Sequence, residues 1–116
     1  MVAPEIVNLK GWITLIDEEQ LKTIFESVLI QAEFTILNFH SHSFPENGYT
    51  AFWLLAESHL AIHTFTENQV SYIELSSCNY KKTNIFKLLC DKLEGKVSWD
   101  GEIQVTKPHT KTEYSF

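Results

Sequence analysis

Between His40 and Cys78 the chain gathers a dense set of side chains able to do chemistry. They are His40 and His42, the turn Ser43-Phe44-Pro45-Glu46-Asn47-Gly48, the run Ala56-Glu57-Ser58-His59-Leu60-Ala61-Ile62-His63-Thr64-Phe65-Thr66-Glu67, and Cys78. His40 and His42 stand two apart, so on a strand they project from one face. His59 or His63 could complete a zinc site with them. An H-x-H pair is a weak signal, however, and polar residues near a strand end account for it better. Ser58, with His59 and His63 close by, suggests an acyl-transfer nucleophile and its base. Yet the G-x-S-x-G elbow is missing, and no glycine near Ser58 offers close backbone N–H groups to an oxyanion. Each residue also has a plain structural reading. Ser58 fits a strand end, His63 a hydrogen-bonded strand histidine, Cys78 a small buried hydrophobe, and Phe44 and Phe65 simple core. The joint spacing carries more than any one of them.

Taken together, the stretch resembles the bacterial-type S-adenosylmethionine decarboxylases, small self-processing pyruvoyl enzymes. In that family a motif near H-x-F-x-P-x-G leads by fixed spacing into E-S-H, an apolar residue, then x-I-H-T-W-P-E. A cysteine follows the serine at a set distance. Here His42, Phe44 and Gly48 fall at matching offsets, Gly48 precedes Ser58 by ten residues, and Cys78 lies twenty after Ser58. Glu57 to Thr64 matches nearly throughout, and Glu67 matches the terminal acid. The likeness is specific over residues 39–78 and architectural over the two ends. Departures mark a divergent member: Phe65-Thr66-Glu67 replaces Trp-Pro-Glu, and Ala56, Glu74, Asn79 and Ala51 stand where the family usually has Ser, Asp, Gly and Gly.

The resemblance implies a set of roles. The Ser58 hydroxyl attacks the carbonyl of Glu57 and turns the amide into an ester, with the Thr50 hydroxyl stabilising the oxyanion. His63 takes the α-proton of residue 58. Cleavage then leaves a β chain 1–57 and an α chain 58–116 headed by a pyruvoyl group derived from Ser58. That ketone forms a Schiff base with the substrate amine and acts as the electron sink for loss of CO₂. Cys78 returns a proton to the decarboxylated carbon, Phe44 and Phe65 sandwich the adenine ring, and Glu67 binds the ribose hydroxyls or helps orient the cation. The implied enzyme is a carboxy-lyase. It supplies the aminopropyl donor for spermidine and other polyamines, needs no metal, and works as a homodimer with sites near the subunit interface. The alternatives are a pyruvoyl decarboxylase of arginine or ornithine, and an unprocessed homologue that binds a ligand or partner without turnover.

Elements must hold these residues in place. Residues 4–16 mix β-branched and aromatic side chains and read as extended. Asp17, with Gln20 three residues on, predicts the start of a helix over 18–31 whose Leu21, Ile24, Phe25, Val28 and Leu29 share one face. Residues 33–42 alternate, with Phe34, Ile36, Asn38 and His40 on one side and Thr35, Leu37 and Phe39 on the other. Asn47-Gly48 is the strongest turn signal. The nearly all-apolar Tyr49–Ala56 predicts a strand covered on both faces or lying at an interface. Further strands are expected at 60–65, 70–75 and 97–105, the last interrupted at Asp100-Gly101. A second helix is expected over 82–93, with Ile85, Phe86, Leu88, Leu89 and Leu93 inward, Cys90 packed, and Gly95 as its stop. Residues 106–116 read as a loose tail. The expectation is a single α+β domain, a two-layer sandwich in the order β-α-β-β-β-α-β, with two helices on one face of a mostly antiparallel sheet.

Composition narrows the function classes. The 116 residues carry 15 acidic side chains and nine basic ones, all lysine, for a formal charge of −6. A groove-reading nucleic-acid binder needs a basic, arginine-rich stripe, which this chain lacks. Without arginine, a substrate carboxylate or phosphate cannot be held by a guanidinium fork within one subunit. The acidic balance favours a cationic small molecule. No run of about 18 apolar residues predicts a membrane span, and the first residues do not read as a signal peptide. Cys78 and Cys90 make no disulfide framework, which points to a reduced, cytoplasmic protein.

Overall fold

A computed structural model describes residues 4–46 and 48–108. Among these, seven strands and two helices follow in the order β1 (Ile6–Ile13), α1 (Glu18–Gln31), β2 (Ile36–Phe44), β3 (Gly48–Leu55), β4 (Ser58–Phe65), β5 (Val70–Ser77), α2 (Tyr80–Cys90), β6 (Val97–Trp99) and β7 (Gln104–Thr106). The expected order counts three strands between the helices, although four extended stretches are read there, and the structure has four. The stretches near 36–44, 48–55, 58–65 and 70–77 each form a strand of their own. The last expected strand splits at Asp100-Gly101, where Gly101 takes φ +78°. Asn47 and the tail from His109 onward lie outside the described residues.

The sheet is antiparallel in the order β2-β3-β4-β5-β1-β6, with β7 beside β6 on the same edge of β1. Period-two alternation sorts the side chains. Leu9, Ile13, Ala51, Trp53, Leu55, Leu60, Ile62, Ile73 and Leu75 face the helices and are buried. Against them α1 lays Leu21, Phe25, Val28 and Leu29, and α2 lays Thr83, Phe86 and Cys90. The Phe25 and Phe86 rings meet 6.1 Å apart. Asp17 caps α1 as expected, its Oδ2 accepting the Gln20 N–H at 3.0 Å.

Two expectations fail for identifiable reasons. A register shift between Ile36 and Asn38 inserts an extra residue into β2. Such a bulge reverses the alternation beyond it. Phe39 therefore joins Ile36 on the helix side, its ring 4.8 Å from that of Trp53. Helix α2 begins earlier and ends earlier than expected. Asn79 caps it, accepting the Lys82 N–H at 2.9 Å, and Leu88 is exposed. Gly95 does not stop the helix. It lets the following loop pass β1, where a Cβ at Gly95 would come within 2.9 Å of Ile13 Cγ1.

Among the described residues the other face of the sheet carries no helix. Trp12, Phe44, Leu54 and Phe65 are exposed there. Phe52 is half-buried among them and stacks on His59 at 5.6 Å. Tyr49–Ala56 is thus covered on one face only.

Candidate active site

The reactive side chains fall into two groups. The first surrounds Ser58. Leu55 and Ser58 pair across the β3–β4 hairpin, leaving Ala56 and Glu57 as a two-residue turn. Glu57 sits at φ 61°, a left-handed conformation that costs a side-chain-bearing residue about 1 kcal/mol or more. Strand β5 runs beside β4 with Ser76 opposite His59, which carries Cys78 alongside Glu57. The Cys78 thiol donates to the Glu57 carbonyl oxygen at 3.2 Å. The turn into α2 holds Cys78 in place. The Asn79 N–H donates to Ser77 Oγ at 2.9 Å, and Thr83 Oγ1 donates to the Asn79 carbonyl at 2.9 Å. A small cleft of about 120 Å³ is lined by Phe34, Ala56, Glu57, Ser58, Cys78, Asn79 and Lys82.

The second group lies toward the far end of the same hairpin, on the open face. Thr50 and His63 are directly paired across β3 and β4, and Thr50 Oγ1 hydrogen-bonds His63 Nδ1 at 3.1 Å. Tyr72, opposite His63 on β5, stacks on it at 6.3 Å with 20° between ring planes. Burial, Glu74 and Asp100 raise the Tyr72 phenol above its ordinary value, so it stays protonated. Trp12 leans on Tyr72 at 5.2 Å and on Phe65 at 6.0 Å. A hollow of about 220 Å³ is lined by Phe44, Tyr49, Thr50, His63, Thr64 and Phe65. Beyond the Phe65 ring a second hollow of about 280 Å³ is lined by Glu46, Phe65, Thr66, Glu67 and Asn68. Gly48 makes this end possible. Its φ is +111°, and a Cβ there would stand 2.1 Å from the Thr64 carbonyl oxygen.

Within one chain the groups do not meet. Ser58 and His63 are both on β4. Five residues of strand rise separate their Cα atoms by about 16 Å, and an odd spacing turns their side chains to opposite faces. Thr50, His63, Phe44 and Phe65 therefore form one constellation with Glu67 adjoining it, while Glu57, Ser58 and Cys78 form another. His40 and His42 point from β2 to the open face and are exposed. No group of three or more His, Cys, Asp or Glu poised for a metal occurs among the described residues. Lys82, Trp12 and Tyr72 escape the sequence reading. Lys82 sits four residues past Cys78, behind an asparagine cap. Trp12 and Tyr72 become neighbours only through the β1–β5 register.

Comparison with known proteins bears on this arrangement. The family model described as S-adenosylmethionine decarboxylase matches residues 6–102. The chain belongs to that family. It is 31% identical over 102 residues to an S-adenosylmethionine decarboxylase proenzyme of Persephonella marina, a match spanning 82% of this chain and 77% of that one. Over 62 residues it is 41% identical to the proenzyme of the same name from Prochlorococcus marinus, covering 53% of this chain and 50% of that protein. The chain thus spans about half the length of the Prochlorococcus and Parasynechococcus relatives it matches. The fold is that of the adenosylmethionine decarboxylase from Aquifex aeolicus, with a TM-score of 0.63 at 19% identity and 92% of each chain covered. No helix among the described residues is long and apolar enough to cross a membrane.

Proposed function

We propose that this chain is a self-cleaving, pyruvoyl-dependent decarboxylase of S-adenosylmethionine that yields the aminopropyl donor for spermidine synthesis. The observation that carries the reading is the state of the Glu57–Ser58 bond. Its carbonyl belongs to a left-handed, non-glycine residue and already accepts a hydrogen bond from Cys78. The residues present fit a group made in place. A serine hydroxyl follows the strained carbonyl, and a hydroxyl–imidazole pair stands ready on the same sheet.

The Ser58 hydroxyl attacks the Glu57 carbonyl carbon, the C–N bond breaks, and an ester to Ser58 Oγ replaces the amide. His63 removes the α-proton of residue 58, held in orientation by its bond to Thr50, and the Cβ–O bond breaks to release the Glu57 carboxylate. Tautomerisation and addition of water then expel ammonia and leave the ketone. The pyruvoyl group supplies an electron sink for loss of CO₂ from the substrate. Cys78, held beside the Glu57 carbonyl, delivers the proton that replaces CO₂. Phe44 and Phe65 offer flat faces to the adenine, and Glu67 accepts from the ribose hydroxyls.

In this reading a second copy of the chain brings the two groups together. A homodimer with the open sheet faces together buries Trp12, Phe52, Leu54 and Phe65, the apolar residues that α1 and α2 leave uncovered. A two-fold axis near the middle of β4 lays the Ser58 end of one strand over the Phe65 end of its partner. The Ser58 side chain starts on the helix side of β4, so what residue 58 turns toward the open face is its α-carbon and proton. Each site then takes Glu57, that α-carbon and Cys78 from one subunit and Thr50, His63, Phe44, Phe65 and Glu67 from the other.

Intact mass of the denatured protein tests the reading. Two fragments split between Glu57 and Ser58, the second carrying a pyruvoyl terminus, are expected. A single unbroken chain after prolonged incubation at neutral pH refutes the proposal. Labelled CO₂ is expected from S-adenosylmethionine, and release from ornithine or arginine instead reassigns the substrate.

A further inference from the structure

The cleft beside Ser58 contains a cation with no anion. Lys82 lines it together with Ser58 and Cys78. The side chain is half-buried, and its ammonium lies 5.8 Å from the centre of the Phe34 ring, another lining residue. Among the described residues the ion pairs are Lys22–Glu26 and Lys107–Glu5. Glu57 lines the same cleft, yet its carboxylate does not come within ion-pair distance of Lys82. Lys82 thus lines the cleft as a cation paired with no carboxylate among the described residues, able to meet an anion that a ligand brings. The local field acts in the same direction. Lys82 occupies the first turn of the eleven-residue helix α2, whose N-terminal end favours negative charge.

S-adenosylmethionine brings one anion to this cleft, its α-carboxylate, bonded to the carbon whose amine must reach the group derived from Ser58. We propose that Lys82 is the carboxylate-recognising residue of the site, pairing with the substrate α-carboxylate and selecting α-amino acids over amines. The inference rests on the decarboxylase reading above and names a specificity residue for it. A lysine suits this role better than an arginine. A point charge steers and holds the carboxylate without the bidentate grip that would stabilise the ground state against loss of CO₂. Charge is lost from the carboxylate as the reaction proceeds, so the Lys82 contact is stronger before the transition state than in it. Removing it should raise KM and leave kcat unchanged or higher.

The test uses the cleaved dimer, with cleavage verified by intact mass. Lys82→Gln is compared with the parent for KM and kcat on S-adenosylmethionine. In parallel, calorimetry measures the Kd of the decarboxylated sulfonium, which keeps the adenosyl group, the sulfonium and the amine but lacks the carboxylate. One charge-assisted bond is worth about tenfold in affinity. KM is therefore expected to rise about tenfold, the Kd of the carboxylate-free ligand to move by less than about twofold, and Lys82→Arg to restore most of the KM. Equal weakening of both ligands, or of neither, overturns the role of Lys82. A parent protein that does not cleave, or cleaves and releases no CO₂, instead removes the decarboxylase reading on which the role rests.

Discussion

Mixing two inactive chains tests the shared site directly. Ser58→Ala removes the nucleophile, and His63→Ala removes the base about 16 Å along β4. If one site draws Ser58 from one subunit and His63 from its partner, a dimer containing one chain of each kind has one dead site and one whole one. The whole site joins the Ser58 of the His63→Ala chain to the His63 of the Ser58→Ala chain. Random pairing of equal amounts makes about half of the dimers mixed. About half of the His63→Ala chains, or a quarter of all chains, should then be cut between Glu57 and Ser58, with no cut in either variant alone. Co-expression with two different affinity tags, capture through both, and intact mass of the captured dimer give the readout. Every captured dimer should yield one cut His63→Ala chain and one intact Ser58→Ala chain. If mixed dimers are captured and the His63→Ala chain stays whole, the shared site is wrong. Cleavage of His63→Ala on its own removes His63 from processing.

Three further outcomes follow from local geometry. Gly48→Ala drives a Cβ into the Thr64 carbonyl at a positive φ and should cost about 2–4 kcal/mol, seen as a drop in Tm of about 10 °C or more; a Tm within about 2 °C of the parent refutes the strain argument. Cys78→Ala removes the S–H donor on the Glu57 carbonyl and the proposed proton donor, so cleavage should slow several-fold while CO₂ release falls about a hundredfold; undiminished turnover takes Cys78 out of the reaction. Burial pushes the Cys90 thiol far above its usual value. The unfolded chain therefore loses this proton first, and stability should fall as pH rises above about 9, with a slope approaching 1.4 kcal/mol per pH unit. Denaturant midpoints at pH 8 and 10.5 should show that fall in the parent and a smaller one in Cys90→Ala.

Much of the layout was legible because local rules agree with the global fold. Asp17 and the apolar stripe from Leu21 to Leu29 specify α1 to the residue. Residues 48–77 form three consecutive hairpin-linked strands because turn signals and β-branched runs alternate there. The bulge in β2 left no mark on the alternation of 33–42; it arises from pairing with β3. The start of α2 was missed because Asn79, a good cap, follows directly on strand residues. For the site, the motif spacing points to Glu57, Ser58, His63 and Cys78, and strand geometry adds a constraint that the spacing already contains. Ser58 and His63 are an odd number of residues apart on a strand, so period-two geometry alone turns them away from each other. What could not be read was Lys82 in the Ser58 cleft and the Trp12–Tyr72–His63 stack, since both depend on long-range register.

The order of strands gives the cut at Glu57 a mechanical meaning. The first fragment would hold β1, α1, β2 and β3; the second would hold β4, β5, α2, β6 and β7. Across the sheet they alternate like interlaced fingers, with β2 and β3 from the first, β4 and β5 from the second, then β1 from the first and β6 from the second. Four pairings, β3–β4, β1–β5, β1–β6 and β1–β7, run between the pieces, and only β2–β3 and β4–β5 lie within one. Neither piece can slide out without breaking the sheet on both sides of it. A severed backbone is therefore invisible to the folded molecule and matters only when it melts. Unfolding then releases two chains instead of one, and the melting temperature comes to depend on dilution.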